Sequence, residues 1–149
     1  MNTGIIGVAL AVLLAAQMVW AAEPINTSWR GNLAIKGYDS VAYFTENRAV
    51  KGVKAHQLEW RGANWRFASA GNLELFRQSP EKYAPAYGGY CAWAVSNDAL
   101  APIDPQQFTV LDGRLFLNYN AAVQKKWLPE KEERIRLADE NWPGLVEEW

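Results

Sequence analysis

The stretch FTVLDGRLFLNY, residues 108–119, restricts the fold more than any other in the chain. Asp112-Gly113 is a turn pair suited to a two-residue hairpin loop. Val110 and Leu111 flank it on one side, Leu115 and Leu117 on the other. That imposes antiparallel pairing locally. A second hairpin is read in QLEWRGANWRFAS (57–69): Leu58 and Trp60 alternate with Glu59 and Arg61, and Trp65 and Phe67 alternate with Arg66. Gly62 to Asn64 supply its turn. Leu33 and Ile35 alternate with polar neighbours as in a short strand, and Gly37 marks a turn.

Helix signals separate these strands. Asp39 stands where it caps a short helical turn over 40–44. Ser69 precedes AGNLELFRQ, with Leu73 and Phe76 as its inner face. Ser79-Pro80 breaks that helix, and PEKYAPAY restarts with proline in the first turn. Asn120 caps AAVQKKWLP. Pro129 begins a last helix, anchored by Ile135 and Leu137 and ended by Pro143-Gly144. Residues 45–56 read as a polar loop containing His56. The order contains no βαβ alternation. The expected fold is therefore a small single α+β domain, with antiparallel hairpins packed with three to four short helices.

The first 21 residues read differently. From Ile5 to Val19 the chain is apolar apart from Gly7 and Gln17, and Val19 and Ala21 place small residues at a cleavage site. The run is shorter than the roughly 20 apolar residues that span a bilayer. A secretory signal peptide cleaved after Ala21 is expected, hence a secreted or periplasmic protein with no stable membrane insertion after cleavage. Residues 22–31 then form an N-terminal arm, 32–145 the domain and 146–149 a tail. The formal net charge of −1 offers no basic face for nucleic acid.

Cleavage removes Met1 and Met18, leaving one cysteine, Cys91, one histidine, His56, and no methionine. An exported chain with one thiol has no internal disulfide, so its fold rests on packing. Every tryptophan except Trp20 remains to supply buried area. A zinc site closed by several Cys and His ligands cannot be built within one chain, nor can a methionine-rich copper(I) site. No CxxC dithiol is present.

Cys91 lies in YGGYCAWAVS (87–96), and three readings of it stay open: a small buried side chain in an aromatic core, a functional thiol, and one half of an intermolecular disulfide. A metal such as copper has Cys91 and His56 as its candidate ligands. Ligand-binding or redox candidates are Cys91, Tyr90, Asp39 and Tyr43, with Asp39 also read as a helix cap. Tyr43, Tyr90, Trp93 and Tyr119 are read either as core or as the lining of an aromatic pocket. EKEERIR reads as a solvated helix face.

WRGANWRFASAGNLELFRQSPEKYAP resembles a YHS domain through Gly62, Trp65, Phe67, Ser69, Phe76 and the run Pro80, Glu81, Lys82, Tyr83. IKGYDSVAYF, YGGYCAWAVS, DGRLFLNYN and ADENWP resemble the exported bacterial branch of that family, so the resemblance spans 32–145. It implies a small α+β domain. In many YHS domains it implies heavy-metal binding, often copper, through a cysteine pair flanking the helix start. Here Ala68 stands where the first cysteine follows the strand, and Asn72 stands near the second. Neither is a thiolate, so the metal function does not carry over at those positions. The family more often has proline after the aspartate; Ser40 stands there here. The reading is thus an exported YHS-type binding module for a metal ion or small ligand near Cys91. A thiol-dependent redox protein and a non-catalytic interaction domain are the alternatives.

Overall fold

The computed structural model describes residues 23–146, and the segment 1–21 expected to be a signal peptide lies outside them. The architecture is a small α+β domain built from two sheets, several short helices and one long helix. The first sheet has the order β1-β2-β4-β3, with β1 at Thr27–Ser28, β2 at Leu33–Ala34, β3 at Val53–Trp60 and β4 at Ala63–Phe67. β3 and β4 are antiparallel, as are β1 and β2, while β2 meets β4 in parallel through Leu33 and Asn64. The second sheet is the hairpin of β5 (Phe108–Leu111) and β6 (Arg114–Leu117).

Both long hairpins close with two-residue loops whose residues have positive φ. In one they are Asp112 (50°) and Gly113 (73°), in the other Arg61 (49°) and Gly62 (71°). The second turn is thus Arg61-Gly62 rather than Gly62 to Asn64, and Ala63 and Asn64 already belong to β4. The regular alternation of β4 then becomes clear: Ala63, Trp65 and Phe67 face inward and are buried.

The helices start where side-chain caps satisfy their free N–H groups. Asp39 caps α1 (Ser40–Thr45), Ser69 caps α2 (Ala70–Gln78), and Asn120 caps α5 (Ala121–Trp127). Pro80 opens α3 (Pro80–Tyr83), whose fixed φ suits a first turn. α4 spans Ala92–Ser96 and packs against α6, Lys131–Leu145. Among the described residues no helix is long and apolar enough to cross a membrane.

β6 divides the interior in two. Leu115 and Leu117 point into a core with Trp65, Phe67, Phe76 and Tyr43. Phe116 points the other way, into a core with Tyr87, Val95, Trp127 and Ala138. All three are at most 1 % exposed. The period of two thus serves two cores rather than one core and solvent.

Four expectations change. The strand β3 begins at Val53, so His56 sits in a strand and not in a polar loop. The pairing shifts between Val53 and Gln57, and Val53, Lys54 and Ala55 are exposed, which removes the alternation a strand ordinarily shows. The strand at 33–35 stops at Ala34, because Ile35 and Lys36 have φ of 48° and 52° in a tight 3-10 turn. The last helix passes Pro143-Gly144 to reach Leu145, since Trp142 and Leu145 pack onto the second core. It is also held there by Ala138, which is fully buried.

The N-terminal arm is the fourth. It pairs as β1 and buries Ile25. Its Asn26 donates from the backbone to the Gly88 carbonyl (2.9 Å) and from the side chain to the Gly89 carbonyl (3.1 Å). Gly88 has φ of 58°, and a Cβ there would overlap the Pro24 carbonyl oxygen. Gly88→Ala therefore combines backbone strain with loss of arm docking and is expected to destabilise the fold by about 2–4 kcal/mol. Gly71→Ala, with only Ser69 Oγ at 3.8 Å from the added carbon, is expected to be neutral or slightly stabilising. Urea unfolding of the two variants checks the contrast.

Candidate functional site

Asp39 is fully buried. Its Oδ1 accepts from the backbone N–H of Val41 (2.9 Å) and Ala42 (3.2 Å). Its Oδ2 accepts from the backbone N–H of Ala68 (2.8 Å) and from Asn72 Nδ2 (2.8 Å). The capping role read from the sequence is therefore present, and it is half of what the side chain does. The other oxygen ties α1 to the end of β4 and the first turn of α2. Ala68 and Asn72, which the resemblance sets at and near the places of a cysteine pair, are both donors to this carboxylate.

Cys91 is 1 % exposed, a free thiol at the position preceding α4. Its Sγ accepts from the Tyr119 backbone N–H at 3.2 Å, and Asn118 Nδ2 is 4.0 Å away. Its own N–H donates to the Ala101 carbonyl, and its carbonyl accepts from Val95. The glycines before it do not open a path to the sulfur. Gly88 makes room for the arm at Pro24, and the carbonyls of Gly88 and Gly89 accept from Asn26.

The other predicted residues are dispersed. Tyr43 is buried in the first core, packs against Phe108 with the rings tilted and their centres 4.9 Å apart, and donates to the Pro105 carbonyl (2.8 Å). Burial pushes its hydroxyl well above the usual tyrosine range, and Tyr38, Asp104 and Asp39 add to that. Tyr90 is half-buried, donates to the Glu23 carbonyl (2.9 Å) and packs on Trp142. Burial, then Glu23, raises its pKa. Trp93 lies under the Arg134 guanidinium at 4.0 Å, and Tyr119 is half exposed. The hydrogen-bond partners of the sulfur are Tyr119 and Asn118, not His56. Among the described residues no group of three or more His, Cys, Asp or Glu side chains could hold a metal ion.

A cleft of about 220 Å³ has Tyr87 and Gly88 in its wall. The two hairpin ends meet there with α3 and α6. Its walls carry Trp60, Arg61, Lys82, Tyr87, Arg114 and Trp142, and among the described residues Glu81 is the one acid lining it. Arg61 lies over the Trp60 ring at 4.5 Å and 3.7 Å from Glu81. Arg114 grips Asp139 through two bonds (2.8 and 3.1 Å) and lies 5.7 Å from the centre of the Tyr87 ring. Tyr87 donates to Asp139 at 2.8 Å. Burial pushes the Tyr87 hydroxyl up, and its bond to Asp139 pushes further. Burial also pushes the Asp139 carboxyl up, but the hydrogen bonds from Arg114 and Tyr87 outweigh it and hold the carboxyl below its usual range.

Sequence reasoning passed over Arg61, Arg114 and Asp139. Arg61 and Arg114 stand in or beside turns, where a charge ordinarily signals solvent, and only non-local packing brings them together. The signal that was available is Arg61 itself, a bulky residue in a turn position that asks for Asn, Asp or Gly.

Comparison with known proteins matches residues 41–87 to the YHS domain. That span holds α1 from Val41 onward, the first long hairpin, α2 and α3, and the four groups that donate to Asp39, which itself stands two residues before it. No curated protein and no solved structure matches the sequence.

Asp39→Asn replaces two acceptor lone pairs facing Ala68 and Asn72 with donors or leaves them half satisfied. A loss of about 3 kcal/mol is expected in chemical denaturation. A second expectation concerns pH. Asp139 has a folded pKa below its unfolded one, so the unfolded chain binds more protons and stability rises with pH through that window. The contribution is complete above the usual carboxylate pKa and lost as pH falls through the lowered one. Asp139→Asn should therefore flatten the acid limb of a plot of Tm against pH.

Proposed function

We propose that this chain is a small exported binding module of the YHS type that takes its ligand in the cleft between the hairpin ends, with Cys91 a packing residue and no catalytic role. The observation carrying this reading is a contrast in access. Cys91 is 1 % exposed. The cleft, walled in part by Tyr87 and Gly88, is open and is lined by three basic and three aromatic side chains. A ligand needs both access and recognition groups, and the cleft has them. Export is supported by the apolar run of residues 5–19 and the small residues at 19 and 21. A sulfur this enclosed offers no face to a partner thiol or to a metal brought by His56.

One observation favours a thiol reading instead. The N–H of Tyr119 at 3.2 Å and the amide of Asn118 at 4.0 Å are donors suited to a thiolate. Copper(I) titration of the reduced full chain separates the two. The proposed reading predicts the same weak uptake for wild type and Cys91→Ser. A stoichiometric site lost in Cys91→Ser overturns it. A two-dimensional NMR screen of small fragments supplies the positive arm: shifts should gather at Gly88, Gly113 and the Trp142 indole. Hits gathering at Asn118 and Tyr119 would place the ligand at the sulfur.

A further inference from the structure

The formal charge of −1 is the sum of two unlike halves. Residues 23–68 carry seven Lys or Arg against four Asp or Glu, and one of those four is the buried Asp39. Residues 69–149 carry eight against twelve. The pairing differs too. In the second half Arg77, Arg114, Lys131, Arg134 and Arg136 each hold a carboxylate within 3.2 Å. In the first half, among the described residues, Arg30, Lys36, Lys51, Lys54 and Arg66 hold none. The fold gathers these unpaired cations. Lys36 and Trp29 border one hollow of about 250 Å³, whose apolar walls are Ile35, Pro102 and Ile103. Arg30 lies over the Trp29 ring at 4.9 Å. The Gly37 carbonyl, next to Lys36, accepts from the Gly52 N–H at 2.9 Å, and Tyr38 bridges Lys51. A Cβ on Gly37 would lie 3.9 Å from Arg66 Cδ. Lys51, Val53 and Lys54 are exposed at the start of β3. Trp29 itself is 88 % exposed, a whole indole presented to solvent beside this basic surface.

We propose that this surface adsorbs the protein on an anionic phospholipid bilayer, with Trp29 as the interfacial anchor and Lys36, Lys51 and Lys54 as headgroup contacts. It shares no residue with the cleft and is independent of what the cleft binds. An unpaired cation loses no partner when it meets a phosphate, and each one near an anionic surface tightens adsorption roughly fivefold. The lysine stems lie along the apolar boundary while their ammonium groups stay among the headgroups. An indole favours that same boundary, where its ring is out of water and its N–H keeps a partner. A protein partner suits the surface less well. The register of β3 shifts between Val53 and Gln57, and Lys54 is exposed there, two devices that keep another strand from pairing with this edge. The cations are spread over a turn and a strand start, and a bilayer needs no matching shape. The contact is adsorption, not insertion.

The test is partition of the full chain between buffer and vesicles of phosphatidylcholine, alone or mixed with phosphatidylglycerol, read by co-sedimentation. Residues 1–22 carry no charged side chain, so they add equally to both vesicles. The mixed vesicles should take up the chain at least about tenfold more strongly, and added salt should erase the difference. Lys36→Glu, Lys51→Glu and Lys54→Glu combined should remove the preference while the thermal midpoint barely moves, since none of the three holds a carboxylate among the described residues. Lys125→Glu with Lys126→Glu, on α5 in the acidic half, should leave the preference as it is. Trp29→Ala should weaken uptake several-fold. In the wild-type chain a spin-labelled lipid should broaden the Trp29 indole NMR signal before those of the buried Trp65 and Trp127. Equal uptake by both vesicles, or the same loss from the Lys125 and Lys126 changes, overturns the proposal. Binding to soluble poly-glutamate as tight as to the mixed vesicles and indifferent to Trp29→Ala also overturns it, and assigns the surface to an acidic protein.

Discussion

The carboxylate of Asp39 is buried completely and satisfied by four neutral donors drawn from two distant parts of the chain. Its cost of desolvation is met only if all four stay in place. The consequence is geometric. The start of α1, the end of β4 and the start of α2 are fixed to one another, and the aromatic core of Trp65, Phe67 and Phe76 forms beside that junction. Ala68 and Asn72 belong to this junction as donors. A chain with those residues has a polar node where resembling domains place a cysteine pair.

From that node the fold extends through its hairpins. Because β4 is fixed at one end, its other end presents the Arg61–Gly62 turn beyond Trp60. β6, buried on both faces, presents Gly113 and Arg114 at its start. α3 and the left-handed turn at Tyr87-Gly88 bring a third wall. Tyr87, Arg114 and Asp139 lock that wall to α6. The cleft is thus a product of strand ends and not of any contiguous motif.

Much of the fold was legible in local chemistry. The caps at Asp39, Ser69 and Asn120, the proline at the start of α3 and the Asp112-Gly113 turn each act within a few residues, so the sequence displays them directly. Three features were hidden because their causes lie elsewhere. β3 begins at Val53 because β4 holds it, while its own exposed residues carry no pattern. The arm is structured because Gly88 leaves room for Pro24, sixty-four residues away in sequence. The last helix survives Pro143 because Trp142 and Leu145 have a core to enter. For the site, the sequence drew attention to Cys91, which the fold buries, and gave no local sign of the cleft. A lone cysteine is conspicuous in composition, whereas Arg61 and Lys82 are ordinary until the turns meet.

The account turns on the sulfur being interior and closed to ligands. The reaction of Cys91 with iodoacetamide under native conditions tests this most directly. Labelling limited to unfolded molecules, slow in buffer and accelerated by urea in step with unfolding, is the predicted result. Labelling in buffer at the rate of a free exposed thiol, with the fold intact, would contradict it.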